Sequence, residues 1–298
     1  MYKNIVPGLI SFDTTLNKLR GSYYSDNFNY YSEVKKRSRF HYRVFIDDDI
    51  KIPQKYDFKD AFFIKSENRW YYERKLGPIK LKFCFDPAKK TFSFNRIYTF
   101  IPFPIGDIFP VGLQISDFIN LDLFLSGITS FKGCAFNYNH ENMCVLAPSN
   151  NGKTRLLEKV LEKNGRYIAE DVVLLDLQEN IVYPNTIRSN IFAKKADRWL
   201  RDLGSEKLIT EPQRVSEIFL IQNVTSKRYF PKNKSIYSYF HLWRVPFNAN
   251  PLLRSYVFEE LLRDKIDHRL SMLKRKNDGW TFKQIKGFNY EFLERNEN

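Results

Sequence analysis

Short alternations of aromatic and polar residues fill the first hundred positions. HYRVFIDDDIKI (41–52), DAFFIKS (60–66), RWYYERKL (69–76), IKLKFCFD (79–86) and KTFSFNRIYTFI (90–101) are short runs of this kind, and each predicts a strand. Turn-forming residues separate them: Asp47-Asp48-Asp49, Ser66-Glu67-Asn68, Gly77-Pro78, and Asp86-Pro87 followed by Lys89-Lys90. Strands at this close spacing predict an antiparallel sheet or meander. The Asp47–Asp49 run has the chemistry of a metal site and of a turn, and the turn is the preferred reading because Asp bonds its own backbone there.

The pattern then changes. Residues 101–112, IPFPIGDIFPVG, interrupt it with prolines and glycines and mark a boundary. This divides the chain into a β-rich region, 1–112, and a second domain, 113–298. QISDFINLDLFLSGITSF switches to helical spacing, with Ile115, Phe118, Ile119, Leu121, Leu123, Phe124 and Leu125 apolar. Ser116 is placed to cap that helix and Gly127 to end it. KGCAFNYNHENMCVLAP predicts a hairpin: strand 132–138, turn 139–142, strand 143–146.

The second hairpin strand runs into Ala147-Pro148-Ser149-Asn150-Asn151-Gly152-Lys153-Thr154. This approximates the phosphate-loop pattern G-x-x-x-x-G-K-[ST], with Ala147 in place of the first glycine. In such a loop the N–H groups of Ser149, Asn150, Asn151 and Gly152 surround phosphate oxygens, and the next helix begins beneath them. Lys153 supplies a point charge, and Thr154 offers a hydroxyl to Mg²⁺. The alternative is a chance helix cap. The context favours the phosphate loop, because an apolar strand precedes it and the helix TRLLEKVLEKN follows, ending at Gly165.

RYIAEDVVLLDL is then a strand interrupted by Glu170 and Asp171. Adjacent acids in an apolar strand are costly unless paired with a cation or put to use. The helix and strand return them towards the phosphates, where carboxylates can hold Mg²⁺ or take a proton from a hydroxyl.

The strand, the loop, the helix, Gly165-Arg166 and the acidic pair before Val172-Val173-Leu174-Leu175 together resemble the HPr kinase/phosphorylase group and its smaller relatives. That group shares its nucleotide-binding core with phosphoenolpyruvate carboxykinases. Val182-Tyr183-Pro184 and Glu217–Ile221 resemble later elements of the same core, so the resemblance covers about residues 115–225. It implies a mixed sheet with flanking helices, and an α/β or α+β class overall. It also implies an ATP- and Mg²⁺-dependent kinase that phosphorylates a hydroxyl of a protein, peptide or small molecule. Carried over by position, Glu170 is the base for the acceptor, Asp171 lies at the metal, and Lys153 and Thr154 keep their loop roles. The chain departs from the family at Ala147, Asn150 and Glu170, and at Lys132, where a histidine is usual before glycine.

Composition adjusts this picture. The chain has 298 residues, 43% of them hydrophobic, which suits a packed core rather than disorder. Aromatics reach 16%. The net charge is +14, from 48 Lys and Arg against 34 Asp and Glu, which suits either solvated lysines or an anionic partner. Three cysteines without a CxxC pair and four dispersed histidines argue against a disulfide framework and a protein-held zinc. MYKNIVPGLI lacks the charged start and apolar run of a leader, and no run reaches the roughly 20 apolar residues of a membrane span. The expectation is a cytoplasmic protein.

Two rival functions stay open. One is a nucleotide-binding interaction module with little or no catalysis. The other, from charge alone, is a nucleic-acid binder, for which 226–246, with interleaved basic and aromatic residues, is the candidate surface. The same residues also suit a hairpin or loop over the core. Residues 250–276 read as an amphipathic helix with Asn250 as cap and Pro251 in the first turn; its Arg254, Arg263 and Arg269 are candidates for a phosphate contact.

Overall fold

The computed structural model describes residues 2–16, 31, 38–59, 63–100, 111–147, 152–176, 178–187, 203–222 and 282–286. The architecture is mixed α and β, rich in β, with two mixed sheets and few helices. The chain divides into two compact units, with the division between Leu121 and Asp122. That point falls inside a helix, whereas the proline-rich stretch places a boundary at 112. No helix among the described residues is long and apolar enough to cross a membrane.

The first unit carries an eight-stranded sheet. Its strands are β1 (Tyr2–Val6), β2 (Ile10–Thr14), β3 (Phe40–Ile46), β4 (Phe58–Lys59), β5 (Phe63–Ser66), β6 (Arg69–Leu76), β7 (Ile79–Asp86) and β8 (Thr91–Phe94). The order across the sheet is β1-β2-β3-β8-β7-β6-β5-β4. The run from β4 to β8 is the expected antiparallel meander. The expectation of a purely antiparallel sheet fails at β3, which lies parallel to both β2 and β8. Parallel neighbours need a long crossover, and the chain supplies one on each side of β3: residues 15–39 before it and the meander after it.

Period-two burial is plain in β3, where Phe40, Tyr42 and Val44 point inward and His41, Arg43 and Phe45 outward. The strand expected over 90–101 stops at Phe94, and Ile97–Phe100 form a short helix, α1. Asn95 explains the break. Its side chain accepts from the Lys82 N–H at 3.1 Å and donates to the Lys80 carbonyl at 2.7 Å, taking ladder positions the strand would have used. The Asp47–Asp49 run is a turn: Asp47 Oδ1 accepts from the Asp49 N–H at 2.9 Å, and Asp48 accepts from the Arg96 N–H at 2.7 Å.

Helix α2 spans Val111–Leu125. It begins earlier than its apolar spacing suggests, so Ser116 is not its cap. Ser116 instead lies within the helix and bonds back to the Gly112 carbonyl at 2.8 Å. Nearly every described position of α2 is buried, including Gln114, Ser116, Asp117 and Asn120. Phe118, 1% exposed, meets the rings of Phe63, Trp70, Phe83, Phe85 and Phe92 at centroid distances of 4.7 to 6.4 Å. These offset and edge-on contacts are the geometry aromatic pairs favour.

The second unit carries a seven-stranded sheet. Its strands are β9 (Ile128–Tyr138), β10 (Glu141–Leu146), β11 (Arg166–Asp176), β12 (Ile181–Tyr183), β13 (Gln213–Arg214), β14 (Glu217–Gln222) and β15 (Phe282–Lys286). The order is β13-β12-β11-β9-β10-β14-β15. It is mixed, since β14 runs parallel to β10 and to β15, and the other neighbours are antiparallel. The hairpin expectation holds with a tighter turn than 139–142. Tyr138 pairs with Glu141, and Asn139 and His140 both have left-handed φ, as a two-residue type I′ turn requires.

Helix α3 (Lys153–Glu162) packs on β9 and β11. At its C-terminus the left-handed residue is Asn164, one before the expected Gly165. The Gly165 N–H bonds the Val160 carbonyl at 2.8 Å, closing a Schellman motif. Lys207 Nζ reaches the Leu161 carbonyl at 3.2 Å and satisfies a second orphan acceptor. The stretches 226–246 and 250–276, with their arginines, lie outside the described residues.

Candidate functional site

β9 is the centre of the site. It lies between β10 and β11 and pairs antiparallel with both, so those two strands run in the same direction. One β9 residue fixes their register: Gly133 faces Leu146 of β10 on one side and Asp171 of β11 on the other. Cys134 likewise faces Val145 and Glu170. Strand spacing then sets the backbones of β10 and β11 about 10 Å apart, with the acidic pair level with the end of β10. The seventeen or so residues between Lys153 and the acids return the chain to its own starting level.

Gly133 is required by close packing. A β-carbon there would lie 2.7 Å from the Val145 carbonyl oxygen and 3.0 Å from Val173 Cγ2. The ladder continues one residue past β10, because the Ala147 N–H donates to the Lys132 carbonyl at 3.1 Å. Of the expected phosphate loop, Ser149, Asn150 and Asn151 lie outside the described residues, as does Pro148. Gly152 is described and has φ 68, a left-handed conformation that suits glycine. It leads directly into α3.

Lys153 is the first residue of α3 and is only 7% exposed. Burial pushes its pKa below the usual lysine value, while Cys134, Asp171 and Glu170 pull it up and Lys132 pushes it down. A buried ammonium at a helix N-terminus opposes the helix dipole, so its placement costs stability and suits an anionic ligand. Cys134, fully enclosed in the same cluster, has its thiol pushed up to about 12 by burial; Lys153 opposes that shift and Glu170 adds to it. At neutral pH it is a protonated core thiol and no nucleophile.

The adjacent acids have different partners. Glu170 is 2% exposed, and its Oε1 accepts a short hydrogen bond from the Thr154 hydroxyl. Asp171 is half-buried and forms an ion pair with Lys132, Nζ to Oδ1 at 2.9 Å. Asp171 also has φ 65 in the middle of a continuous ladder, a left-handed state that Asp tolerates better than most residues. The structure thus brings Lys153, Thr154, Glu170 and Asp171 together at the level where β10 ends. It places Glu170, rather than Asp171, against the Thr154 hydroxyl.

Hard oxygen donors from Thr154 and Glu170 fit Mg²⁺, which commonly takes one or two protein oxygens and completes its shell from phosphates and water. Among the described residues no cluster of three or more His, Cys, Asp or Glu would hold a metal by protein ligands alone. Lys132 joins the cluster although the sequence marks it only as the residue in a histidine's place. Its signal is the strand register, which puts residues 39 apart in sequence into contact.

A second concavity lies on the first unit, a cleft of ≈ 520 Å³ lined by Arg43, Lys51, Arg69, Tyr71 and Asp86 among others. Within it Arg69 pairs with Asp86 at 3.0 Å, and Asp47 accepts from the Asp49 N–H. No family model matches the chain, and no curated protein matches it at a significant level.

Proposed function

We propose that the second unit binds ATP with Mg²⁺ at the end of β10 and transfers the γ-phosphoryl group to a hydroxyl of a protein, peptide or small molecule, in the manner of an HPr kinase-like enzyme. The observation that carries this reading is the hydrogen bond from Thr154, at the start of α3, to the buried Glu170. A loop hydroxyl and a strand carboxylate meeting beside a buried lysine is the arrangement phosphate-loop enzymes use for nucleotide and metal.

Each residue then has a task. Gly152 and the N-terminus of α3 give the phosphates backbone N–H groups. Lys153 stabilises the charge that builds on the transferring group, and its desolvated ammonium regains a counter-charge when phosphate binds. Thr154 and Glu170 provide the oxygens for Mg²⁺, which neutralises phosphate charge when bound. The remaining carboxylate takes the acceptor's proton. Catalysis of this kind needs positioning and electrostatics more than covalent chemistry. The reading carries with it a cytoplasmic setting, where ATP is available.

A titration with a fluorescent ATP analogue, with and without Mg²⁺, tests the binding step. Saturable, Mg²⁺-strengthened binding is expected, and its absence at millimolar nucleotide would remove the reading. Transfer from γ-labelled ATP to hydroxyl acceptors tests the chemistry. The second reading, a nucleotide-binding module, is favoured by one feature: both acids already have partners in Thr154 and Lys132. Binding without transfer to any acceptor or to water would select it.

A further inference from the structure

Two adjacent carboxylates at a phosphate site raise a question of assignment. Left alone, both would turn towards a divalent cation, since hard cations gather carboxylate oxygens. One acid must stay out of the metal's ligand set if it is to take a proton. In this chain the means of separation is Lys132.

Lys132 is fixed at both its backbone and its side chain. Its carbonyl accepts from the Ala147 N–H at 3.1 Å, which ties it to the residue where β10 gives way to the loop. In the β9–β11 ladder it stands opposite Val172, next to the Gly133–Asp171 pair. Gly133, opposite Asp171, carries no side chain, and the space a β-carbon would take there is already filled by the Val145 carbonyl and Val173. The Lys132 ammonium reaches Asp171 Oδ1 at 2.9 Å, with the two side chains 17% and 23% exposed. A pair this enclosed is screened little by salt and holds its geometry better than a surface pair. The left-handed φ of 65 at Asp171 breaks the plain in-and-out alternation at this point, and Glu170 keeps the contact with Thr154.

We propose that Lys132 is a positioning residue that holds Asp171 out of the metal's ligand set, so that Asp171 serves the acceptor hydroxyl and Glu170 serves Mg²⁺ with Thr154. This rests on the nucleotide reading above, and it reverses the order of the two acids that the family resemblance implies. In the transfer step the acceptor oxygen forms its bond to the γ-phosphorus as the bond to the β–γ bridging oxygen breaks. The hydroxyl proton passes to the Asp171 carboxylate and then to water, and ADP leaves with the bonding electron pair. Lys132 touches neither phosphate nor acceptor in this account and acts only through Asp171.

The test uses Mn²⁺ as the probe, followed by electron paramagnetic resonance in the presence of ADP, so that no turnover is needed. Glu170→Gln is expected to weaken Mn²⁺ binding about tenfold or more, and Asp171→Asn by less than about threefold. Lys132→Met frees Asp171 to join the metal, so Mn²⁺ affinity should rise about three- to tenfold. The double variant Lys132→Met with Asp171→Asn should lose that gain, and Lys132→Arg should keep the wild-type value. The proposal is overturned if Asp171→Asn weakens Mn²⁺ as much as Glu170→Gln, or if Lys132→Met brings no gain. Should Lys132→Met fail to fold by circular dichroism, the comparison of the two acid variants with Lys132 intact still decides. Wild-type protein that binds no ADP would defeat the nucleotide reading itself. ADP binding with the wrong carboxylate pattern would defeat only the role of Lys132.

Discussion

The two sheets use their interiors differently. In the first unit the buried set is rich in rings: Tyr42, Tyr72, Phe83, Phe85, Phe92 and Phe94 line one face, and Phe118 of α2 packs among the central ones. Polar side chains there serve turns and ladder ends. In the second unit the buried set is mostly aliphatic, and within it lie Lys153 and Glu170, with Lys132 and Asp171 at the margin. Ionisable groups taken out of water cost stability unless paired. A unit that gathers four of them in one place, with one backbone held left-handed, gives up stability there, and the proposed nucleotide is what would offset that cost.

That contrast is open to attack from both sides. The largest effect is expected from Phe118→Ala, which removes a ring from five neighbours and should cost about 3–5 kcal/mol in urea unfolding. A loss below about 1 kcal/mol would mean that the rings do not form one cluster. Next is Lys153→Ala, expected to lower ATP-analogue affinity about 100-fold, or ~2.7 kcal/mol, while thermal stability holds or rises because a desolvated charge is gone. Equal losses of stability and affinity would erase the distinction between the units.

A third effect is in the alkaline range. Burial pushes the Tyr72 phenol from its ordinary 10.0 up to about 12, with Arg74 opposing. Here the folded state keeps a proton that the unfolded chain gives up. Its stability is therefore complete below about pH 10 and falls as pH rises towards 12, by an amount of order 2 kcal/mol. Tyr72→Phe should flatten that part of the stability–pH curve, and an unchanged slope would contradict the burial argument. The smallest effect is Gly133→Ala, where the added carbon meets the Val145 carbonyl. A cost of about 1 kcal/mol is expected, with reduced nucleotide affinity because β10 and β11 are pushed apart. Tolerance of alanine with full affinity would show that the close approach at Gly133 is not needed.

Much of the fold could be read from the chain. Strands β5 to β7 and β9 to β11 follow from period-two or continuous apolar runs, and α3 from a 3.6-residue stripe. The strand over 90–101 ends early because the Asn95 side chain competes with the backbone for ladder positions on β7, a contest that periodicity does not register. The short segments β1, β2 and β15 carry too few alternating positions to stand out in the sequence, and become strands when a neighbour receives them. The helix start at Ser116 misled for a similar reason. A serine suits a cap, but inside a helix it can bond back one turn.

For the site, the sequence by itself determined the residue types and their order along the chain: Gly152-Lys153-Thr154 opening a helix, and Glu170-Asp171 interrupting the apolar strand that follows it. Those are local facts, set by propensity and by chain length. Only the tertiary structure decided which acid meets which partner. Glu170 lies with Thr154 and Asp171 with Lys132 because β9 passes between β10 and β11 and because Gly133 lets them close. Strand register is a property of three segments together, and a shift of one residue would give each carboxylate a different partner.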